Sequence, residues 1–309
     1  MIIQALHIII FLNLFFTNNV YGFQKKDSLY IDIVDTSIMF TGSKPKLVSR
    51  QFAFTEGPAR DKYGNIVFTD QPNNKIWKYD TSGNLSLFMD KAGRSNGLYF
   101  DKNGSLIACA DLDNQLWSID CHGKVKILAS QYKGRHLNGP NDVWVHPGGD
   151  IYFTDPFYPR DYWKNKAPRR SPEYVYLLHP GNKTIIPVIK SLNKPNGIIG
   201  TSDGRSLFVS DIKEGKIYKY QIRKNGTLSG AQLFTQAVAD GMTVDDKENI
   251  YLAGNGVTVF NRAGYKIAHI ILPEDWTANV TFGGKDNDIL FITASRGIYI
   301  LQMKAKGAQ

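Results

Sequence analysis

Six copies of one short segment recur along this chain, and the repeat constrains the fold more than any other feature of the sequence. Each copy is an apolar run, rich in β-branched and aromatic residues, that ends at a small or acidic residue. The copies are residues 65–70, 105–111, 150–155, 206–211, 249–254 and 288–294. Their ends lie 41, 44, 56, 43 and 40 residues apart. Self-similarity at a period of this length is typical of repeat architectures.

A second apolar run precedes each copy, and a polar residue opens it 14 or 15 residues before the copy ends. These polar residues are Glu56, Asn96, Asn141, Asn196, Asp240 and Asn279. Two β-rich runs joined by a turn that contains Gly or Pro predict a hairpin. A third apolar run follows every hairpin, and a fourth follows five of the six. Four strands per repeat indicate the blade of a β-propeller.

The sequence therefore predicts an all-β, six-bladed β-propeller with four-stranded blades in residues 45–303. The sixth repeat has no fourth run, because the chain ends soon after residue 301. We expect the unassigned run at residues 46–49 to complete blade six and close the ring, which leaves no open sheet edge. A β-rich protein of another kind, such as stacked sandwiches, is the alternative.

The N-terminus differs in composition from the repeats. Residues 6–16 are an apolar run of 11 residues, followed by a polar stretch and then Gly22. The run is too short to span a bilayer but has the length of a secretory h-region. We expect residues 1–22 to be a signal peptide, 23–44 an N-terminal segment and 304–309 a C-terminal tail. The protein is then secreted or periplasmic, without stable membrane insertion after cleavage. An uncleaved anchor or a buried strand is the alternative.

The positions of the two cysteines argue against a disulfide, and the distribution of charge argues against nucleic-acid binding. Pairing in blade two places residue 109 opposite about residue 116, so Cys121 lies too far from Cys109 for a disulfide. We predict that both thiols are free. The net charge of +9 comes from Lys and Arg scattered through turns. Nucleic-acid binding needs a basic face with interleaved aromatic residues, so no nucleic-acid partner is expected.

The polar residues that open the first strands are the candidate functional site. First strands line the central channel of a propeller, so these six side chains should converge at one mouth, with Asp142 beside them. Carboxylate and amide oxygens that face one another repel and lack partners unless a cation joins them. Ligand sets made only of oxygen suit Ca²⁺, Mg²⁺ or Mn²⁺. The alternative is a ring of polar strand ends that bind water.

A set of short motifs at these positions resembles the regucalcin/gluconolactonase family of six-bladed propellers, and within it the bacterial gluconolactonases. The motifs are Glu56-Gly57-Pro58, Asn138-Gly139-Pro140-Asn141-Asp142, Thr154-Asp155-Pro156, Pro195-Asn196-Gly197, Ser202-Asp203-Gly204, Asp240-Gly241-Met242 and Phe282-Gly283-Gly284. The resemblance covers residues 45–301 and implies a lactone-hydrolysing enzyme. It also implies one divalent cation held by Glu56, Asn196 and Asp240. Ca²⁺ is the expected ion, and Mg²⁺, Mn²⁺ and Zn²⁺ are alternatives.

The resemblance also suggests roles in substrate binding and proton transfer. Asn141 corresponds to a residue that lies beside the metal and contacts substrate, and Arg135 is the candidate for a substrate-binding Arg that precedes this motif. Asp240 is the first choice for general base, because it can touch metal and water together. Asp142 is the second choice.

One loop is much longer than its counterparts. The connection between the second and third strands runs from residue 155 to 173 in blade three and is short in the other blades. Long loops in compact domains are usually functional or disordered. We predict that this loop covers the mouth and that Tyr158 and Trp163 stack on a ring-shaped substrate. A mobile surface loop is the alternative.

These observations predict a divalent-metal-dependent hydrolase that opens a small-molecule sugar lactone. A covalent serine mechanism is disfavoured because no G-x-S-x-G motif occurs. Two alternatives stay open. One is a non-catalytic propeller that binds a ligand or protein partner, since fold does not fix function. The other is a propeller hydrolase that acts on another ester or a phosphotriester.

Overall fold

The computed structural model describes residues 31–33, 35–163 and 172–308, and the regular structure in these ranges is entirely β. Two strands precede the first blade: β1 (Ile31–Ile33) and β2 (Lys46–Ser49). Blade one consists of β3 (Thr55–Arg60), β4 (Ile66–Asp70), β5 (Lys75–Tyr79) and β6 (Leu85–Asp90). Blade two consists of β7 (Ser95–Phe100), β8 (Leu106–Ala110), β9 (Gln115–Ile119) and β10 (Val125–Ala129). A small hairpin, β11 (Gln131–Tyr132) and β12 (Arg135–His136), follows blade two.

The remaining strands form blades three to six. Blade three consists of β13 (Val143–Val145), β14 (Ile151–Thr154), β15 (Val175–His179) and β16 (Thr184–Ile189). Blade four consists of β17 (Pro195–Gly200), β18 (Ser206–Asp211), β19 (Lys216–Ile222) and β20 (Leu228–Thr235). Blade five contains β21 (Met242–Val244), β22 (Ile250–Gly254), β23 (Gly256–Phe260) and β24 (Lys266–Ile270). Blade six contains β25 (Thr277–Gly283), β26 (Ile289–Ala294) and β27 (Gly297–Gln302).

The predicted six-bladed propeller is confirmed. Each blade is an antiparallel sheet whose strands pair in chain order. The predicted closure is also present, because β2 pairs with β27 and supplies the fourth strand of blade six. A blade built from both ends of the chain joins the first repeat to the last, so the ring has no open edge at this point. Within the described ranges, no helix is long and apolar enough to cross a membrane.

Both ends of the described chain also add contacts to the propeller that the repeat did not predict. Strand β1 pairs with β24, so blade five has five strands. Residues 304–308, interpreted from sequence as a tail, return to the ring. There the Gly307 N–H donates to the Asn287 carbonyl at 2.8 Å, and the Ala308 N–H donates to the Val244 carbonyl at 3.1 Å. These backbone hydrogen bonds hold the C-terminal segment against blades five and six.

The core lies between the faces of neighbouring blades. Between blades three and four it contains Trp144, which is 1% exposed, and the Tyr152 ring, whose centroid lies 5.7 Å from that of Trp144. Large rings fill this space because the blades diverge as they leave the axis. Burying an aromatic side chain stabilises the fold by about 1.5–3 kcal/mol. The two thiols are free, as predicted, with Cys109 buried and Cys121 exposed.

Glycine at position 200 is required by this packing. Gly200 ends β17 with an ordinary backbone conformation, and a Cβ built on it overlaps the Trp144 indole ring. We expect Gly200→Ala to lower the free energy of unfolding by about 1–3 kcal/mol, since overpacking displaces a rigid ring. The measurement is urea unfolding followed by tryptophan fluorescence. The matched control is Gly181→Ala, where a Cβ meets no atom within 4 Å. Equal unfolding midpoints for the two variants would contradict this prediction.

Candidate active site

The polar residues that open the first strands meet around a cavity at one end of the central channel. This mouth cavity has a volume of about 210 Å³. Five of the six predicted ring residues line it: Glu56, Asn96, Asn141, Asn196 and Asp240. The sixth, Asn279, lies just below and donates from Nδ2 to Glu56 Oε2 at 3.2 Å. The sequence repeat therefore located the residues of this mouth correctly.

Glycines beside these polar residues let the first strands approach one another at the axis. Gly57 has a φ of +43°, and a Cβ on it would overlap the backbone carbonyl of Asn96 in the next blade. A Cβ on Gly197 would likewise overlap the backbone carbonyl of Asp240. In both blades the strand pairing shifts at this point, as in a β-bulge, which turns the polar side chain towards the mouth. This close approach is the physical reason for the Glu-Gly and Asn-Gly pairs in the sequence.

Glu56 is almost fully buried at the centre of the ring, with 3% of its surface exposed. Its Oε2 accepts hydrogen bonds from the Gly57 N–H at 2.6 Å and from Asn279. Burial raises the pKa of Glu56 well above its ordinary value, and the nearby charges of Asp240 and Asp142 raise it further. Three carboxyl groups therefore lie close enough to repel one another.

Asp240 and Asn196 stand on neighbouring blades beside Glu56. The Trp276 indole N–H donates to Asp240 Oδ2 at 2.6 Å. Burial raises the pKa of Asp240 to about 6, although hydrogen bonds from Trp276 and Asn196 favour its charged form. Asn196 donates from Nδ2 to the Tyr158 hydroxyl at 3.1 Å. Its Oδ1 is buried and has no hydrogen-bond partner in the described part of the chain. A buried oxygen without a hydrogen-bond partner destabilises the fold unless a ligand binds to it.

Asp142 does not line the mouth cavity. It faces a narrower section of the channel, with a volume of about 20 Å³. Its two carboxylate oxygens accept the Val143 N–H at 3.0 Å and the Ile198 N–H at 3.2 Å. Burial raises the pKa of Asp142 to about 7, and these two hydrogen bonds oppose the shift. Of the two candidate bases, Asp240 is thus the one at the mouth.

The described part of the long loop of blade three forms one wall of the mouth cavity through Tyr158 and Arg160. Residues 164–171 lie outside the described ranges, so the prediction that the whole loop covers the mouth remains a prediction. The loop is anchored to the buried Asp111, which directly follows β8 of blade two. Arg160 Nε donates to Asp111 Oδ2 at 2.8 Å, and the Tyr162 hydroxyl donates to the same oxygen. The Lys194 ammonium holds the other side of the loop, donating to the Phe157 carbonyl at 2.8 Å. These contacts fix Arg160 at the rim with its side chain 26% exposed.

Comparison with known proteins decides the family. The model of the SMP-30/Gluconolactonase/LRE-like region matches residues 54–296, which is most of the chain. The chain belongs to this family. The resemblance seen in the short motifs is therefore confirmed.

The relatives of this family member include named gluconolactonases. It is 26% identical over 302 residues to a gluconolactonase of Zymomonas mobilis, covering 88% of this chain and 84% of the relative. It superposes on the structure of a gluconolactonase from Xanthomonas campestris with a TM-score of 0.82 and 26% identity, covering 90% of this chain and 95% of the other. It also superposes on a calcium-binding regucalcin from Agrobacterium tumefaciens with a TM-score of 0.72 and 19% identity, covering 86% and 95%. This last likeness shows the fold alone.

The structure separates the predicted substrate-binding residues of this SMP-30/gluconolactonase family member into two groups. Asn141 and Tyr158 line the mouth cavity. Trp163 is 4% exposed and stands behind that wall, where its indole N–H donates to the Asp111 carbonyl at 2.7 Å. Arg135 is exposed on β12 and is not among the residues that line the cavity. Within the described residues, Arg160 is the arginine of the mouth.

Three other residues of this site were not singled out as site residues from the sequence. In the sequence, Arg160 is one of several cations of the long loop, and Trp276 lies in the connection before blade six, where no repeat predicts contacts. Gln71 lines the cavity directly after β4, and its Nε2 donates to Asp111 Oδ2 at 3.3 Å. A signal for Gln71 and Asp111 did exist. Both directly follow the second strand of their blade, and second strands end on the face where first strands begin.

The donor set at the mouth fits a hard divalent cation. Glu56 and Asp240 supply carboxylate oxygens, and Asn196 supplies its orphaned amide oxygen. The cationic side chain that lines the cavity, Arg160, is already paired with Asp111. In the described ranges, no cluster of three or more His, Cys, Asp or Glu side chains is spaced to hold a metal. The candidate set is of a different kind, two carboxylates and one amide, which suits an ion that prefers oxygen ligands.

Proposed function

We propose that this protein is a divalent-metal-dependent lactonase that opens a sugar lactone, gluconolactone or a close analogue, at the mouth cavity. Family membership supports a lactone-hydrolysing enzyme. The observation that carries the finer proposal is the juxtaposition of Glu56, Asp240 and the orphaned Asn196 oxygen at the mouth. Carboxylates that raise one another's pKa at a ligand cavity are typical of functional sites.

The dimensions of the cavity favour a small substrate. Its volume of about 210 Å³ lies below the range of about 300–1,000 Å³ that is usual for sites of drug-sized ligands. The lining is mixed: polar groups from the ring face the apolar side chains of Phe54 and Ile212. A monosaccharide lactone has the matching character, with hydroxyl groups on its edge and C–H groups on its faces.

Glu56, Asn196 and Asp240 would hold the cation, which when bound polarises a carbonyl oxygen and lowers the pKa of a bound water. We propose Ca²⁺, and one structural relative is described as calcium-binding. Mg²⁺, Mn²⁺ and Zn²⁺ remain candidates that the activity assay distinguishes.

The protein's own groups supply the proton transfer and the orientation. We assign Asp240 as general base, because it lines the mouth cavity and the Trp276 N–H fixes its Oδ2 there. The water oxygen bonds to the lactone carbonyl carbon, the ring C–O bond breaks, and the leaving oxygen takes a proton, which yields the hydroxy acid. We propose that Asn141 and Arg160, which line the cavity, donate hydrogen bonds to substrate oxygens. Lys194 and Arg160 lie over the Tyr158 ring, 4.9 Å and 5.7 Å from its centroid, so the predicted stacking of a sugar on Tyr158 would have to displace one of them.

Lactone hydrolysis by the full chain tests this function. Hydrolysis of D-glucono-1,5-lactone is followed by acid release, first with added Ca²⁺, then with a chelator, then after each divalent ion is restored. We expect turnover that the chelator removes and a divalent ion restores. A parallel panel of aryl esters and phosphotriesters tests the other hydrolase. Binding without turnover of any compound, with every ion supplied, would favour the non-catalytic propeller.

A second test asks whether the Asp111 carboxylate holds Arg160 in position to bind the substrate at the mouth cavity. We expect Asp111→Asn to raise KM for the lactone about tenfold, because it weakens a charge-assisted hydrogen bond that holds Arg160. The value of kcat should change little, since a residue that binds ground state and transition state equally affects KM. The matched control is Asp113→Asn, an exposed acid in the same turn. A large fall in kcat at unchanged KM would contradict this role.

Export remains a prediction. The apolar run and the proposed cleavage point at Gly22 lie outside the described residues. We propose that residues 1–22 are removed and that the enzyme acts outside the cytoplasm. Determination of the N-terminal residue of the mature protein tests this, with a start at or near residue 23 expected. A mature protein that keeps residue 1 would contradict cleavage.

A further inference from the structure

A second, larger cavity opens at the opposite end of the propeller, between blades one and two. It has a volume of about 620 Å³ and lies among the turns that join first to second strands in these blades. We call it the lower cavity. The narrow channel section of about 20 Å³ separates it from the mouth cavity. A space of that size holds about one water molecule, so the two cavities are distinct sites.

The lower cavity exists because blade one carries small side chains where the other blades carry large ones. In blade one, Ala59 pairs with Val67 on the face that meets blade two. The same position of the strand pair contains an aromatic residue in each of the other five blades: Tyr99, Trp144, Phe208, Tyr251 and Phe291. No such ring stands between blades one and two, where smaller side chains pack against one another and the lower cavity opens beside them.

The walls of this cavity are apolar and partly aromatic. Val67 and Leu106 face each other from the two blades and are 2% and 1% exposed. Phe100 is half-buried at its inner end, whereas the Tyr99 ring packs towards blade three. The volume lies within the range of about 300–1,000 Å³ that is usual for organic ligands. The space therefore suits a flat apolar group.

Arg60 lines this cavity and carries a positive charge beside the Asp61 carboxylate. Its Nε is buried and has no hydrogen-bond partner within the described residues. Burial lowers the pKa of the Arg60 guanidinium, which reflects the cost of keeping the charge out of water. A carboxylate placed against Nε and one Nη would satisfy the donors and the charge together, since guanidinium and carboxylate match in geometry.

The charged rim has the same preference for an anion. Lys62, Lys78 and Lys102 stand around the opening, and in the described part of the chain none of them forms an ion pair. Three acids share the rim, but the carboxylate of each accepts backbone N–H groups of its own turn: Asp61, Asp101 and Asp120. Lys62 also lies over the Tyr63 ring, with its Nζ 5.0 Å from the centroid, and the acids keep their charge. With Arg60, the lining has four cations and three acids, an excess of one positive charge.

We propose that the lower cavity binds an organic anion that has a flat apolar body and one carboxylate, with the carboxylate on Arg60 and the body against Val67, Leu106 and the Phe100 ring. This site is separate from the lactonase site and does not depend on the function proposed for it. Its chemistry is that of an aromatic carboxylate.

Titration calorimetry of the full chain with 2-naphthoate tests this site. We expect saturable binding, and binding at least about tenfold weaker for 2-naphthylmethanol, which has the same ring system without the charge. Arg60→Gln should weaken naphthoate binding by about the same factor. Val67→Phe restores an aromatic ring to the strand pair and should abolish binding. The matched control is Lys126→Gln, which removes one exposed positive charge outside the cavity and should bind naphthoate as the wild type does.

A mouth variant distinguishes the two cavities. Asn141→Ala should bind naphthoate normally, and loss of binding in this variant but not in Arg60→Gln would place the ligand at the mouth and overturn the proposal. Absence of naphthoate binding at millimolar concentration would also overturn it. So would a dimer of the full chain that Val67→Phe dissociates and naphthoate leaves intact, because the cavity would then be a contact between two copies. If Val67→Phe does not fold, Arg60→Gln decides.

Discussion

Asp240→Asn is expected to lower kcat/KM for lactone hydrolysis by about 10³-fold or more. A positioned general base contributes about 10²–10⁴-fold, and this residue is also one of the three proposed cation ligands. Asn keeps an oxygen of similar size and position but cannot accept the proton from water. The Trp276 indole N–H can still donate to that oxygen, so the local fold should survive. The measurement is steady-state kinetics with gluconolactone at saturating divalent ion, beside a melting curve of the variant.

Two further variants make this result specific. Asp246→Asn changes an exposed acid of the same blade and should retain wild-type kinetics. Asp142→Asn removes the second candidate base, whose oxygens accept the backbone N–H groups of Val143 and Ile198. It should lower stability more than it lowers kcat. If Asp142→Asn folds and loses all turnover while Asp240→Asn keeps it, the assignment of the base is reversed.

The repeat in the sequence was sufficient to predict the ring and its closure, for a physical reason. Each blade has to bury both faces against its neighbours, so every copy has the same alternation of residues, and the offset from polar start to strand end is kept. That offset placed Glu56, Asn196 and Asp240 at one mouth without any knowledge of their contacts. Strand β1 was not predicted, because an added outer strand belongs to no repeat and its sequence carries no periodicity.

The long-loop residues that line the mouth cavity were predicted less well than the polar residues that open the first strands. A long loop marks where a wall can form, but it does not tell which of its aromatic and cationic side chains turn inward. Tyr158 lines the cavity, whereas the Trp163 indole N–H donates to the Asp111 carbonyl behind it. Arg160 is held at the cavity because its Nε donates to the buried carboxylate of Asp111, which belongs to another blade. Such long-range pairing has no signature in a single sequence.

Removal of the divalent ion is expected to destabilise the protein, and Glu56→Gln should reveal the cause. A ligand that binds only the native state at 100 times its Kd adds about 2.7 kcal/mol to the free energy of unfolding. For a domain of this size that corresponds to a rise in Tm of roughly 5–10 °C. We therefore expect millimolar Ca²⁺ to raise Tm by this amount in the wild type, measured by differential scanning fluorimetry after treatment with a chelator.

Glu56→Gln should keep or raise the melting temperature of the metal-free protein and reduce the further rise that Ca²⁺ causes. Without metal, Gln removes one of three mutually repelling carboxyl groups yet keeps an oxygen that accepts the Gly57 N–H, so the variant should melt at or above the wild-type temperature. With Ca²⁺, it lacks a charged ligand and should gain less than half of the wild-type shift. The control Glu248→Gln removes a surface carboxylate paired with Arg262 and should keep the full shift. A Ca²⁺ shift that is the same in Glu56→Gln as in the wild type would exclude Glu56 as a ligand, because any cation held at this mouth interacts directly with its charge.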